Sequence, residues 1–353
     1  MMYHLVFQAC LAAAPAQCGQ ILLPAADSPD RAECLAGAGA RVRDWLAARP
    51  DLSGGDPDCR ANADLPALPL EEIAPGIWVT WGAEAQMEEV ADGHIANLGV
   101  VLGRDGVAVI DAGVSRAQGQ ALHVAIRRIT DLPVAHLVLT HMHPDHALGA
   151  EVMAEAGARI HAHHALPDAL AARAEGYLDA LARLYDPGEW IGTRVVMPDA
   201  LVRDRARIGL GDRDLTLRAW PTAHTDNDLT VMVEDARVFF AGDLLFSGLT
   251  PVVDGSLLGW LDWLRGDPAA GAALIVPGHG RADADWTRLS DPQRRLLKAL
   301  AEAARDAVAQ GLPLSRAVPV IVDRLNPLKD GWHAFGETMA RNATAAYTEL
   351  EWE

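Results

Sequence analysis

Along residues 73–353, short apolar runs of strand length alternate with longer stretches of helical spacing. Residues 78–81 (Trp-Val-Thr-Trp), 98–102 and 107–110 are rich in β-branched and aromatic side chains and read as strands. Asp111-Ala112-Gly113 closes the third of these, and residues 115–129 read as the helix that follows. The run His136-Leu137-Val138-Leu139-Thr140 predicts a buried strand that opens directly onto a polar loop. Further strands are expected at 215–220, 229–233, 238–240 and 274–276, with helices at 291–309 and 335–350. Strands and helices mixed in this order predict an α/β layered domain over residues 70–353.

Residues 1–66 have a different texture and are expected to form a small separate module. Residues 3–10 read as a first strand, broken by Pro15 and Gly19. Residues 21–23 suggest a second strand, and 31–48 have helical periodicity. Residues 57–69, rich in Pro, Asp and Ala, read as the linker. All four cysteines (Cys10, Cys18, Cys34, Cys59) lie in this module, at spacings that fit no zinc ribbon or Cys-x-x-Cys motif. They read as two disulfides, with Cys10–Cys59 and Cys18–Cys34 preferred among the three connectivities.

Composition narrows the partners. The net charge of −18 leaves no basic stripe for nucleic acid, and no run of 18 apolar residues offers a membrane span. A small-molecule substrate is therefore expected. The compartment is drawn two ways. Clustered cysteines favour the periplasm. Residues 5–16 resemble a short apolar signal core, but residues 1–4 carry no Lys or Arg, and cleavage after Ala16 would remove Cys10, which favours the cytoplasm.

The candidate chemistry begins at Thr140-His141-Met142-His143-Pro144-Asp145-His146, directly after the buried strand. Imidazole and carboxylate are the nitrogen and oxygen ligands that zinc accepts, and Pro144 suits the sharp turn needed to make them converge. His224, Asp243 and His279 each follow another apolar strand, where α/β proteins assemble their sites. His161, His163 and His164 lie outside this set and are read as structural or surface residues. Trp260 and Trp263 are read as a core stripe. His94 and Asn97, in a loop before the strand at 98–102, are candidates for substrate contact.

Over residues 70–285 the chain resembles the metallo-β-lactamase superfamily, with Asp111, His-x-His-x-Asp-His at 141–146, His224, Asp243 and His279 in the expected order. The resemblance implies an αβ/βα four-layer sandwich and two zinc ions per chain. It places His141, His143 and His224 on one zinc and Asp145, His146 and His279 on the other, with Asp243 bridging. Asp111 is similar to the family's aspartate that orients a ligand histidine. Aspartate at 243, and Phe240-Ala241-Gly242-Asp243-Leu244-Leu245-Phe246 around it, favour the branch typified by glyoxalase II. Histidine at 143 departs from the flavodiiron pattern, which uses glutamate there.

End to end, the chain looks like the quinoprotein relay system zinc metallohydrolases and the sulfur-oxidation-cluster metallohydrolases. The similar parts are the cysteine-containing leader, residues 223–229 (Ala-His-Thr-Asp-Asn-Asp-Leu) and residues 341–353. That resemblance implies quinoprotein or sulfur-oxidation pathway partners. The expected reaction is hydrolysis of a small ester, thioester, lactone or amide by a metal-bound hydroxide, with Asp145 or Asp243 taking the water's proton. Two other readings compete: an iron-dependent persulfide dioxygenase on the same fold, and a non-catalytic quinoprotein-associated binding module.

Overall fold

The N-terminal strands pair among themselves before the chain reaches its main body. In the computed structural model, which describes residues 2–352, β1 (Tyr3–Leu11) pairs antiparallel with β2 (Ala14–Ser28), and then with two short strands that follow α1 (Arg31–Leu35) and α2 (Ala38–Ala47). These are β3 (Leu52–Gly54) and β4 (Asp58–Ala61). Leu5, Phe7, Ile21, Val42 and Trp45 form a core under this sheet that also takes in Ile191 of the main body.

Three expectations about this segment need correction. The disulfides are Cys10–Cys18 and Cys34–Cys59, not Cys10–Cys59 and Cys18–Cys34. The hairpin sets the first by register, placing Cys10 opposite Cys18 with Cα atoms 4.0 Å apart, while Cys59 lies opposite Leu5. Pro15 and Gly19 do not end a strand, because β2 runs through both. The ladder jumps from Cys10↔Cys18 to Leu11↔Ala14, so Pro15 sits in a bulge where no ladder N–H is needed. The linker is also shorter than expected, since Asp58–Ala61 pairs with β1 and Asn62–Asp64 forms a 3-10 turn.

The main body holds two sheets face to face. The first follows from β5 (Glu71–Ala74), β6 (Ile77–Thr80), β7 (Leu98–Leu102), β8 (Val107–Ile110), α3 (Arg116–Ile129) and β9 (Val134–Val138). It continues through α4 (Pro144–Ala147), α5 (Ala150–Glu155), β10 (Arg159–His163), α6 (Leu166–Leu184), α7 (Pro187–Trp190) and β11 (Ala200–Val202). Its seven strands run in the order β11-β10-β9-β8-β7-β6-β5, parallel from β8 to β11 and antiparallel elsewhere. The second sheet holds β12 (Arg205–Gly209), β13 (Asp214–Ala219), β14 (Leu229–Val233) and β15 (Val238–Phe240). After α8 (Leu257–Arg265), β16 (Leu274–Val276) joins it parallel to β15. Three helices close the chain: α9 (Trp286–Ala309), α10 (Leu314–Leu325) and α11 (Phe335–Leu350).

The side-chain alternation of β8 explains the layering. Val107 and Val109 point to one face and pack with Leu122 and Ile126 of α3; Ala108 and Ile110 point to the other. There they meet Leu215, Leu217, Val231 and Phe240 of the second sheet. The far face of that sheet, through Phe239 and Ile275, is covered by α8, α9 and α11, with Trp260, Leu297, Leu300 and Met339 buried in the contact. Helices, sheet, sheet and helices form the expected four layers. The strands covered on both faces, such as β7, β8 and β15, read as continuous apolar runs, whereas the outer β12 and its neighbour β13 carry polar residues. Trp260 and Trp263 are core residues, as their spacing suggested. No helix among the described residues is long and apolar enough to cross a membrane.

Candidate metal centre

The centre sits where the strands of both sheets end. Asp111 follows β8 with a backbone φ of 61°, a left-handed conformation that aspartate tolerates better than most residues. Its carboxylate accepts from Thr140 N (2.8 Å) and Thr140 Oγ1 (2.8 Å) and meets His146 Nδ1 at 2.8 Å. One buried carboxylate thus ties the end of β8 to the loop after β9 and to α4. Two backbone bonds draw the same loops together, Ala112 N to His146 O (2.8 Å) and Gly149 N to Gly113 O (2.8 Å). Pro144 is the first residue of α4, where its missing N–H costs nothing, so the chain turns at His143 and carries Asp145 and His146 inward. Asp243 follows β15, packed against the loop after β16: a Cβ at Gly278 would lie 1.9 Å from Asp243 Oδ1, so only glycine fits there.

These loops bring all seven expected ligands together. His141, His143, His224 and Asp243 form one group and Asp145, His146 and His279 another, the offered atoms in each lying within 4.8 Å of one another. Asp243 reaches both: Oδ1 is 3.1 Å from His146 Nε2, and Oδ2 is 3.2 Å from His279 Nε2 and 3.5 Å from His224 Nε2. Every imidazole is held from outside by its other nitrogen. His146 Nδ1 has Asp111, His224 Nδ1 has Val252 O (2.7 Å), and His279 Nδ1 has Ile95 O (2.9 Å). His141 Nδ1 faces Thr140 Oγ1 (3.0 Å), and His143 Nε2 faces Asp254 Oδ2 (3.0 Å). Such outer partners fix ring orientation and leave the inner nitrogen for a cation.

The inner atoms are poorly served by one another. His141 Nε2, His146 Nε2 and Asp243 Oδ1 are buried without a hydrogen bond, the last two meeting only as an ion pair. Buried polar groups are almost always paired, so three orphans facing one centre mark a place for a cation. Nitrogen and oxygen donors of this kind suit zinc. The charges point the same way. Burial works against charge on Asp243, yet His279, His146 and His141 hold its pKa well below the usual carboxylate range. Burial also works against charge on His146, but Asp243, Asp145 and Asp111 hold its pKa well above the usual imidazole value. Burial, aided by neighbouring His143, drives His224 down to about 3, leaving it neutral.

The remaining histidines separate cleanly. His161 and His163 are pushed down to about 4 by burial and belong to neither group, His161 pairing with His136 at 3.0 Å. A third set, His4, Asp27 and His123, also has metal-like spacing. It does not fit a dication, because Arg127 Nε lies 3.4 Å from Asp27 Oδ2 and supplies the balancing charge. Asn97 commits its amide to hydrogen bonds within the fold. It is buried, its amide nitrogen donates to Pro277 O (2.9 Å) and Gly280 O (2.8 Å), and its oxygen accepts from Gly82 N. It braces the loop that carries His279. His94, in the loop between β6 and β7 that also carries Asn97, is half-buried with a ring nitrogen 3.4 Å from Thr80 Oγ1.

Two residues escape sequence reasoning. Asp254 holds His143, and its own N–H donates to His224 O (3.0 Å). Arg173 of α6 reaches Asp254 at 3.3 Å. Neither carries a local signal, since Asp254 meets His143 across 111 positions of chain.

A family model described as the metallo-beta-lactamase superfamily matches residues 91–279, more than half of the chain. Among solved structures, the inverting sec-alkylsulfatase Pisa1 from Pseudomonas sp. is similar at 16% identity and a TM-score of 0.61, covering 80% of this chain. This chain spans 50% of that protein's length. A metallo-beta-lactamase from Pontibacter korlensis matches at 18% identity and a TM-score of 0.51, over 65% of this chain and 99% of its own. At these identities the likeness speaks for the fold alone. No curated protein sequence matches significantly.

Proposed function

We propose, given that this chain belongs to the metallo-β-lactamase superfamily, that it is a binuclear zinc hydrolase acting on a small ester, thioester, lactone or amide. The observation that carries this reading is the set of five imidazoles, each fixed from outside, converging with Asp145 and Asp243 on orphaned inner atoms. His141, His143 and His224 would hold one ion, Asp145, His146 and His279 the other, and Asp243 would bridge them. Bound there, zinc supplies Lewis acidity and lowers the pKa of a water from 15.7 toward about 7.

The chain's own residues do the rest. Asp243 brings negative charge to the middle of the centre, where two dications would otherwise repel each other. Asp145 Oδ2 lies 3.4 Å from both His146 Nε2 and His279 Nε2, which supports Asp145 as a ligand, and either Asp145 or Asp243 would accept the proton of the attacking water. Asp111 keeps His146 turned inward, and Asp254 does the same for His143. No thiolate or serine nucleophile is required, and the cysteines of the described residues are all disulfide-bonded.

The test is a substrate panel run in air and under nitrogen with the zinc-loaded protein. It includes a thioester, a lactone, a β-lactam and a persulfide, with a secondary alkyl sulfate added because of the Pseudomonas neighbour. Hydrolysis of an acyl substrate at the same rate in both atmospheres is expected. Oxygen uptake with the persulfide and no hydrolysis of any ester would overturn the reading.

A further inference from the structure

A buried network of four charges joins the N-terminal sheet to the two helices that leave the metal loops. Arg49 comes from the segment between α2 and β3, Arg116 opens α3, and Glu151 and Glu155 lie on α5. Arg49 Nη2 bonds Glu151 Oε1 at 2.6 Å, and Arg116 Nη1 bonds Glu151 Oε2 at 2.8 Å. Arg116 Nη2 bonds Glu155 Oε2 at 2.5 Å and also donates to Leu22 O of β2 (3.0 Å). Trp45 of α2 donates to Glu155 (2.8 Å) and lies under the Arg49 guanidinium at 3.7 Å. The Arg116 side chain is 1% exposed and that of Arg49 7%, while Glu151 and Glu155 are 12% and 19% exposed, so the cations are buried and the carboxylates lie at the edge of the network.

Position in the chain gives the network its meaning. α3 begins five residues after Asp111, and Glu151 lies five residues after His146. The Asp111–His146 bond is therefore flanked by the Arg116–Glu151 bond, and Arg49 closes the outer side. Buried ion pairs lose in desolvation about what they gain in attraction, so their usual contribution is fixed geometry rather than net stability. Removing one partner leaves an uncompensated charge that the neighbours must move to solvate.

We propose that Arg49 is a positioning residue: through Glu151 it holds α5, and with it the preceding α4 that carries Asp145 and His146, in the geometry that binds the second metal. Arg49 touches none of the candidate ligands and acts only through α5. The inference rests on the two-ion reading above. It predicts that the effect of Arg49 falls on the Asp145, His146, His279 group and spares His141, His143 and His224.

Arg49→Met, Arg49→Lys and the double variant Arg49→Met with Glu151→Gln test this. Zinc release to a chromogenic chelator is followed in each, together with hydrogen exchange of residues 141–151 in metal-free protein. Arg49→Met should release one of two zinc ions about 10-fold faster, with the other unchanged, and should speed exchange across residues 143–149. Arg49→Lys, which keeps a cation for Glu151, should recover most of the loss, whereas the double variant, which restores charge balance with Arg116 and Glu155 but not the link to α5, should not. Unchanged release and exchange, or equal loss of both ions tracking a fall in Tm without rescue, would overturn the proposal. A wild type that never holds two zinc ions would instead defeat the two-ion reading, and the exchange data would then judge the brace by itself.

Discussion

Asp243→Asn lowers kcat by at least about 100-fold and leaves the fold intact, if Asp243 is the bridge. The side chain is 4% exposed and lies at the end of β15, beside His146, His279, His141 and His224. Asparagine has the same size, so it satisfies the tight fit against Gly278. What it lacks is the negative charge that lets two dications share one small volume, and its amide group would point a donor at the inner nitrogens. The variant should melt cooperatively near the wild-type temperature while its turnover collapses. A kcat within twofold of wild type, measured with full metal content, would remove Asp243 from the chemistry.

Asp111→Asn is the second large effect, and it isolates orientation from ligation. Asp111 is 2% exposed and touches no metal position, yet its Oδ2 accepts from Thr140 Oγ1 and meets His146 Nδ1. Asparagine keeps one acceptor and turns a donor toward one of these partners, leaving a buried group unpaired at a cost of about 1–3 kcal/mol. The left-handed backbone at Asp111 suits asparagine equally well, so strain does not confuse the result. Losing such an outer partner weakens metal affinity or activity by roughly 10- to 100-fold. Competition with a chelator measures the zinc Kd, and the loss should appear in the His146 group. A variant with wild-type affinity and turnover would show that His146 needs no orienting carboxylate.

The candidate ligands are legible because His141, His224, Asp243 and His279 each stand just after an apolar run, and His143, Asp145 and His146 share the cluster that His141 opens. Thr140-His141 after the β9 run, Asp243 after Phe239-Phe240 and His279 after Leu274-Ile275-Val276 all have this form. What the sequence did not show depends on pairing in three dimensions. The Cys10–Cys18 disulfide follows the hairpin register and Cys34–Cys59 ties α1 to β4, which no spacing rule reveals. Asn97 stands in a loop near the centre, but only the fold shows its amide spent on Pro277 and Gly280. Asp254, Arg49 and Arg116 matter through partners far away in sequence. α6 was also not foreseen, because its alanine-rich face buries few large side chains, chiefly Leu166, Leu170 and Leu181, and so shows little contrast. α9 begins earlier than expected, at Trp286, because Asp285 caps it by accepting from Thr287 N and Arg288 N. Pro292 is carried inside it.

The central claim is that the two ligand groups hold two zinc ions, and metal analysis of the purified chain tests it most directly. Wild-type protein under zinc-replete conditions should carry about two zinc ions per chain, the number that two complete ligand sets imply. His224→Ala and His279→Ala should each carry about one, with the remaining ion on the opposite group. Wild-type protein that saturates at one zinc, or two variants that lose the same ion, would contradict the account.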